Sequence, residues 1–175
     1  MTDYTVLDLF TGIGGFSLGL ERAGFRTIAC CEIEPEAIKI IKKRFPGVPV
    51  AGDIRKLNYS NGILFYDGLE IYRGTIFAIC GGFPCQPYSV AGEQQGADDD
   101  RHLWPEYDRL ICEIKPSWVI AENVYGIVNM ELDAVLSDLE AAGYAWETFV
   151  IPACSTDAWH RRDRTWILAD AERQR

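Results

Sequence analysis

The chain has 175 residues, 48% of them hydrophobic and 25% charged, a size and balance that suit one globular domain with a single core. Acidic residues outnumber basic ones 26 to 17, giving a net charge of −9, which argues against a self-sufficient nucleic-acid binder with a basic face. No run approaches the roughly 18 apolar residues of a membrane span. The N-terminal "MTDYTVLDLF" lacks the basic flank and cleavage site of a leader, so a cytoplasmic protein with no membrane partner is expected.

"YTVLDLF" (4–10) has the pattern of a short apolar strand and runs into the glycine-rich "TGIGG" (11–15). "FSLGLERAG" (16–24) then has helical spacing at Phe16, Leu20 and Ala23, with Gly24 as a C-cap. "RTIACCEI" (26–33) predicts a strand, "PEAIKIIKKRF" (35–45) a helix with Pro35 in its first turn, and "VPVAGDI" (48–54) a shorter strand and turn. Residues 58–74 are expected to be a connection with one hairpin-like piece. "TIFAICGG" (75–82) predicts a third strong buried strand, and residues 88–102 a loop. A helix over 103–115, a strand over 116–124, a helix over 130–143 and two closing strands over 144–154 and 164–170 complete the series.

This alternation predicts an α/β fold: a mostly parallel sheet with helices on both faces. The last two strands have no helix between them, so one edge is expected to be antiparallel. Ligands of such sheets bind beyond the carboxyl ends of the strands, where the polar signals fall.

Six cysteines raise the question of a disulfide or metal framework. No C-x-x-C pair is present and the histidines are His102 and His160 alone, so no metal site is predicted. Cys30, Cys31, Cys80, Cys112 and Cys154 are expected to be small core hydrophobes in a reducing compartment. Cys85 differs: in "PCQPYS" (84–89) it follows a strand end, among polar residues, with Pro84 and Pro87 restricting the backbone on either side. That setting suits an activated nucleophile.

Three further stretches carry chemistry. The glycine loop fails the G-x-G-x-x-G pattern because Gly12 and Gly14 are followed at position 17 by Ser17, which disfavours a nicotinamide or flavin cofactor. Glu32 ends the second strand 20 residues after Gly12, the spacing at which an acid grips ribose hydroxyls, and Asp53 ends the third. Together they suggest an adenosine ligand without a pyrophosphate; the competing reading is a tight turn with solvated acids. Glu122 in "ENV" (122–124) directly follows "WVIA", so its carboxyl should be partly desolvated and suited to share a proton. "HRRDR" (160–164) alone is a solvated basic turn, but beside the other strand ends Arg162 and Arg164 can face a phosphate or a carbonyl oxygen.

"DLFTGIGGFSLGL", "CCEIEPEA", "GDI", "GGFPCQPYSVAG", "ENV" and "HRRDRTWILA" stand in the order and approximate spacing of DNA cytosine-5 methyltransferases, and the sequence resembles that family over nearly its whole length. The resemblance implies a Rossmann-like S-adenosylmethionine-dependent methyltransferase fold over residues 1–175. It implies that Phe10 packs on the cofactor's adenine while Gly12, Gly14 and Gly15 approach its methionine part. Glu32 would hold the ribose hydroxyls, Asp53 the adenine amino group, and Ile54 would belong to the same pocket. Pro84 and Cys85 would be the catalytic pair, Glu122 would contact the ring nitrogen and amino group of the target cytosine, and Arg162 and Arg164 would support the thiolate and ring oxygen. Gln86 and Ser89 would belong to a loop closing over a flipped base.

The implied activity is methyl transfer to carbon 5 of cytosine in double-stranded DNA, in restriction-modification or phage DNA modification. An RNA (tRNA) cytosine-5 methyltransferase and an inactive cofactor-binding domain are the alternatives. Family members continue past the strand matching "RTWILAD" into a target-recognition region and a final motif. Site choice is therefore expected to come from a downstream segment or a second chain.

Overall fold

Apolar strands joined by amphipathic helices must bury both sheet faces, and the computed structural model, which describes residues 4–84, 103–129 and 131–171, does so. In chain order the elements begin with strand β1 (Thr5–Leu9), helix α1 (Gly15–Arg22), β2 (Arg26–Cys31), α2 (Pro35–Arg44) and β3 (Val50–Ala51). Then come β4 (Leu57–Ser60), β5 (Ile63–Tyr66), β6 (Leu69–Arg73), β7 (Ala78–Gly82) and α3 (Trp104–Ile114). β8 (Trp118–Val124), α4 (Leu132–Ala141), β9 (Ala145–Pro152) and β10 (Asp163–Asp170) follow.

Seven strands form one sheet in the order β3-β2-β1-β7-β8-β10-β9. The first five run parallel, whereas β10 pairs antiparallel with both β8 and β9. This is the predicted architecture, antiparallel edge included. Every residue of β1 is buried, and its neighbours in sequence serve opposite faces. Leu7 and Leu9 join Tyr107, Leu110 and Leu139 from α3 and α4 in the main core. Val6 and β7's Ala78 and Cys80 pack with Phe16 and Leu20 of α1, while Cys30 meets Ile41 near the end of α2.

Two expectations are corrected. Residues 57–73 form a complete three-stranded antiparallel meander, β4-β5-β6, in place of a single hairpin-like piece. Its turns are Asn61-Gly62 and Asp67-Gly68, all four at positive φ of 51–79°, the mirror-image geometry that matches the twist of a tight hairpin. The meander docks on α3, where Glu113 accepts from the Tyr59 amide at 2.9 Å and Arg109 donates to the Leu57 carbonyl at 2.9 Å.

Cys112 and Cys154 are exposed and are not core residues, although Cys30, Cys31 and Cys80 are buried as expected. α3 buries Trp104, Tyr107, Leu110, Ile111 and Ile114, which turns position 112 outward, and Cys154 lies in a short helical turn after β9. The loop expected over 88–102, with Cys85, Gln86, Pro87 and Ser89, lies outside the described residues. Among the described residues no helix is long and apolar enough to cross a membrane.

Candidate active site

The carboxyl ends of the parallel strands converge on one edge of the sheet. A cleft of about 430 Å³ opens there, lined by Phe10 after β1, Glu32 after β2, Asp53 and Ile54 after β3, and Pro84 after β7. The topology thus gathers five of the predicted cofactor and catalytic residues into one space. Its walls are mainly apolar, with Ile33, Ile54 and Leu103 beside Phe10, and two carboxylates face in among them. An aromatic and aliphatic slot with adjacent acids fits a nucleoside: the slot takes the base, and the acids accept from hydroxyl or amino groups.

The glycine loop supports this cleft through its backbone. Phe10 is a non-glycine residue at φ 53°, and Gly12 and Gly14 follow at 56° and 87°. These left-handed turns reverse the chain between β1 and α1. The Gly12 amide donates to Oε2 of Glu32 at 2.6 Å, while the Glu34 amide donates to Oε1 at 2.8 Å. Glu32 is therefore held by two backbone donors before any ligand arrives. Asp53 is held differently: both of its oxygens accept from Arg55, with Nε at 3.0 and 3.1 Å and a terminal nitrogen at 2.9 Å. That guanidinium keeps the Asp53 carboxyl below its ordinary pKa, chiefly through the hydrogen bonds.

Beneath the loop lies Asp8, which sequence reasoning passed over. It is fully buried, and its Oδ2 accepts from the Ser17 hydroxyl at 2.5 Å and the Ser17 amide at 3.1 Å. Asp8 thereby ties the first turn of α1 to β1, a capping role supplied across the fold. Burial pushes its carboxyl up to about 6, against the lowering effect of the Ser17 hydrogen bonds. Burial likewise pushes the Cys30 and Cys31 thiols up to about 12, which keeps them unreactive.

The other half of the site is built by β8 and β10. Antiparallel pairing sets Glu122 opposite Trp166, and the diagonal neighbour Arg164 reaches it, Nε to Oε1 at 2.8 Å, with both side chains 23% exposed. Burial raises the Glu122 pKa, and Arg164 and then Arg162 oppose the rise. Glu122 is thus a carboxylate poised to hold a proton nearer neutrality than an ordinary one. β7 leaves space for it: a methyl group on Gly82 would lie 2.7 Å from Oε2 of Glu122. The neighbouring Asn123 is buried, and its amide donates to the Phe83 carbonyl at 3.0 Å. It fixes the backbone just ahead of Pro84 and ties the "ENV" stretch to the "FPC" stretch. Period-two alternation, which points Asn123 away from Glu122, was the available signal for that role.

Arg162 behaves unlike Arg164. It is exposed and sits at φ 37°, its carbonyl accepts from the Ala153 amide at 3.3 Å, and among the described residues its side chain makes no hydrogen bond or ion pair, acting on Glu122 through its charge alone. Gly15, with Glu122 and Trp166, lines a separate apolar hollow of about 370 Å³ beside α1, and Gly12 and Gly14 do not line the main cleft.

Residues 4–175 match the family model of C-5 cytosine-specific DNA methylases. The chain belongs to that family. Among curated methylases it is 35% identical over 173 residues to the type II methyltransferase M.Eco47II of Escherichia coli, covering 95% of this chain and 39% of that protein. It is 40% identical over 131 residues to M.NgoMIV of Neisseria gonorrhoeae, covering 74% and 38%. The chain therefore spans about two-fifths of the length of these relatives.

Among solved structures it superposes with a TM-score of 0.75 on a protein described as a DNA modification methyltransferase encoded within an E. coli prophage. That match has 28% identity and covers 95% of this chain and 46% of the other. The S. pombe Dnmt2 methyltransferase gives a TM-score of 0.72 at 20% identity, with 95% and 50% covered, a likeness of fold. The predicted family and the predicted fold are both confirmed. In this chain the cleft residues Phe10, Glu32, Asp53 and Ile54 and the Glu122–Arg164 pair occupy one edge of one sheet, with Pro84 between them in strand order.

Proposed function

We propose that this chain is the cofactor-binding and catalytic portion of a DNA cytosine-5 methyltransferase. The observation that carries the reading is the Glu122–Arg164 pair, one strand away from Pro84 and the 430 Å³ cleft. Phe10 and Ile54 would flank the adenine of S-adenosylmethionine, Glu32 would accept from its ribose hydroxyls, and Asp53 would face the adenine amino group. S-adenosylmethionine supplies the methyl group as an electrophile on a sulfonium.

The protein's own residues address the cytosine, whose carbon 5 is a poor nucleophile. Addition of the Cys85 thiolate to carbon 6, with Glu122 holding a proton at the ring nitrogen, pushes an electron pair toward carbon 5. Once methylated, carbon 5 loses its proton to water, the pair returns to the ring, and the bond from carbon 6 to sulfur breaks to release the thiolate. Arg164 holds the Glu122 carboxyl in place. Pro84 restricts the backbone that carries the thiol. A stacked base cannot present this face, so the target nucleotide must leave the helix.

The net charge of −9 leaves little phosphate-neutralising surface. With about two-fifths of the relatives' length matched, target choice is assigned to residues outside this chain, in cis or on a second polypeptide. The reading is tested by incubating the chain with labelled S-adenosylmethionine and, in parallel, cytosine-containing duplex DNA or RNA, alone and with a downstream segment supplied. Label recovered as 5-methylcytosine supports it. Label in RNA alone, or cofactor binding without transfer in either format, contradicts it.

A further inference from the structure

Four of the chain's five tryptophans are at least partly buried, whereas Trp159 is 95% exposed. It stands in the turn between β9 and β10, one residue before His160, with ring centroids 5.3 Å apart. The turn is tightly closed. The Ala153 amide donates to the Arg161 carbonyl at 2.6 Å, the Ala158 amide donates to the Ala153 carbonyl at 3.3 Å, and Asp157 and Arg162 bracket the segment at φ 67° and 37°. An indole held out on a fixed turn is preorganised for contact, because little chain entropy remains to be lost on binding.

The surroundings state the kind of contact. In an acidic chain, "AWHRRDR" (158–164) carries three arginines against the single acid Asp163. The Arg161 side chain is 82% exposed, and among the described residues it is engaged through Nε, on Asp163 at 3.0 Å. Asp157 is exposed at the far end of the turn. Tyr125, 49% exposed, acts on Arg161 electrostatically, and the preceding Val124, 43% exposed, pairs with Arg164 at the end of the strand that carries Glu122. Two residues beyond Arg162, Arg164 grips Glu122. The turn that leads into β10 therefore presents a flat aromatic face and guanidinium nitrogens at the sheet edge where Arg164 meets Glu122.

We infer that the turn at 157–162 is a docking surface for the DNA strand that carries the target base, with Trp159 stacking on an unpaired base or exposed base edge and Arg161 contacting a phosphate. Base stacking on an aromatic side chain is tolerant of sequence and adds to a charge-driven backbone contact. This rests on the reading of the chain as a DNA cytosine methyltransferase, but concerns a surface outside the cofactor cleft.

The test is a tryptophan-fluorescence and anisotropy titration of the whole chain with a short cytosine-containing oligodeoxynucleotide, single-stranded and duplex, with calorimetric S-adenosylmethionine affinity as the check on folding. Binding should quench the Trp159 emission. Trp159→Ala should remove that quench and weaken binding by about tenfold, while Trp159→Phe retains most of the affinity. Arg161→Ala should lower the slope of log K against log salt by about one, and neither alanine variant should change cofactor affinity. The inference is overturned if Trp159→Ala binds within twofold of the parent, if no quench develops at millimolar oligonucleotide, or if Trp159→Ala abolishes self-association in sedimentation and leaves DNA affinity intact. Methyl transfer with Trp159-insensitive binding overturns this surface alone. Trp159-dependent binding in a chain that transfers no methyl group supports the surface and overturns the catalytic reading.

Discussion

The two halves of the site hold their acids in different ways. On the proposed cofactor side Glu32 is tied by two backbone amides, of Glu34 two residues on and of Gly12 20 residues back, and Asp53 by Arg55 two residues on. On the proposed base side Glu122 is held by Arg164, brought from 42 residues away by antiparallel pairing, and burial raises its pKa. The first arrangement fixes charged acceptors for a ligand that offers donors. The second keeps one carboxyl close to exchanging a proton. On the proposed roles, one sheet edge would separate binding from acid–base work by the company each acid keeps.

That contrast is broken most severely at Glu122. Glu122→Gln removes the exchangeable proton and keeps the shape, so methyl transfer should fall by about 10²–10⁴-fold, with cofactor affinity within twofold by calorimetry. Arg164 opposes the upward shift of the Glu122 pKa. Arg164→Ala should therefore move the alkaline limb of the activity–pH profile to higher pH, at lower overall turnover. An unmoved limb would show that Glu122 is not the group being titrated.

Asp8, beneath the glycine loop, gives a prediction in stability. Its folded pKa of about 6 lies above the ordinary 3.8, so the native state holds the extra proton, and stability should fall as pH rises from about 4 to about 6. Asp8→Asn keeps an acceptor for Ser17 and discards the buried charge. It should be more stable than the parent at pH 7 by up to about 3 kcal/mol, with the gap closing near pH 4 in urea melts.

On the cofactor side, Glu32→Ala should cost about 1.5–3 kcal/mol of binding, the range for hydrogen bonds to a charged group. Asp53→Ala should cost less, because Arg55 already occupies both carboxylate oxygens and competes with an adenine amino group. Calorimetry on the two variants orders them. Equal losses would mean that Arg55 lets go on binding.

Strand and helix alternation, the antiparallel edge and the strand-end position of the site were legible in the sequence, because each is carried by local patterning. The meander was legible too, in Asn61-Gly62 and Asp67-Gly68, but the weak alternation of 58–74 hid it. Cys112 was misjudged because facing depends on which side of α3 meets the sheet. The Arg55 clamp on Asp53 and the choice of Arg164 over Arg162 as the Glu122 partner depend on side-chain reach and on register, which spacing alone does not set. Asp8 looked like a polar interruption in an apolar strand. Its meaning came only with Ser17 folded back above it.

The central claim is that Cys85 acts on the base and the strand-end cleft acts on the cofactor. The most direct measurement compares the parent chain with Cys85→Ala for methyl transfer to cytosine DNA and, on the same preparations, for calorimetric S-adenosylmethionine affinity. The account predicts that transfer is abolished while cofactor affinity stays within twofold. Transfer by Cys85→Ala within tenfold of the parent, or loss of cofactor binding together with transfer, would contradict it.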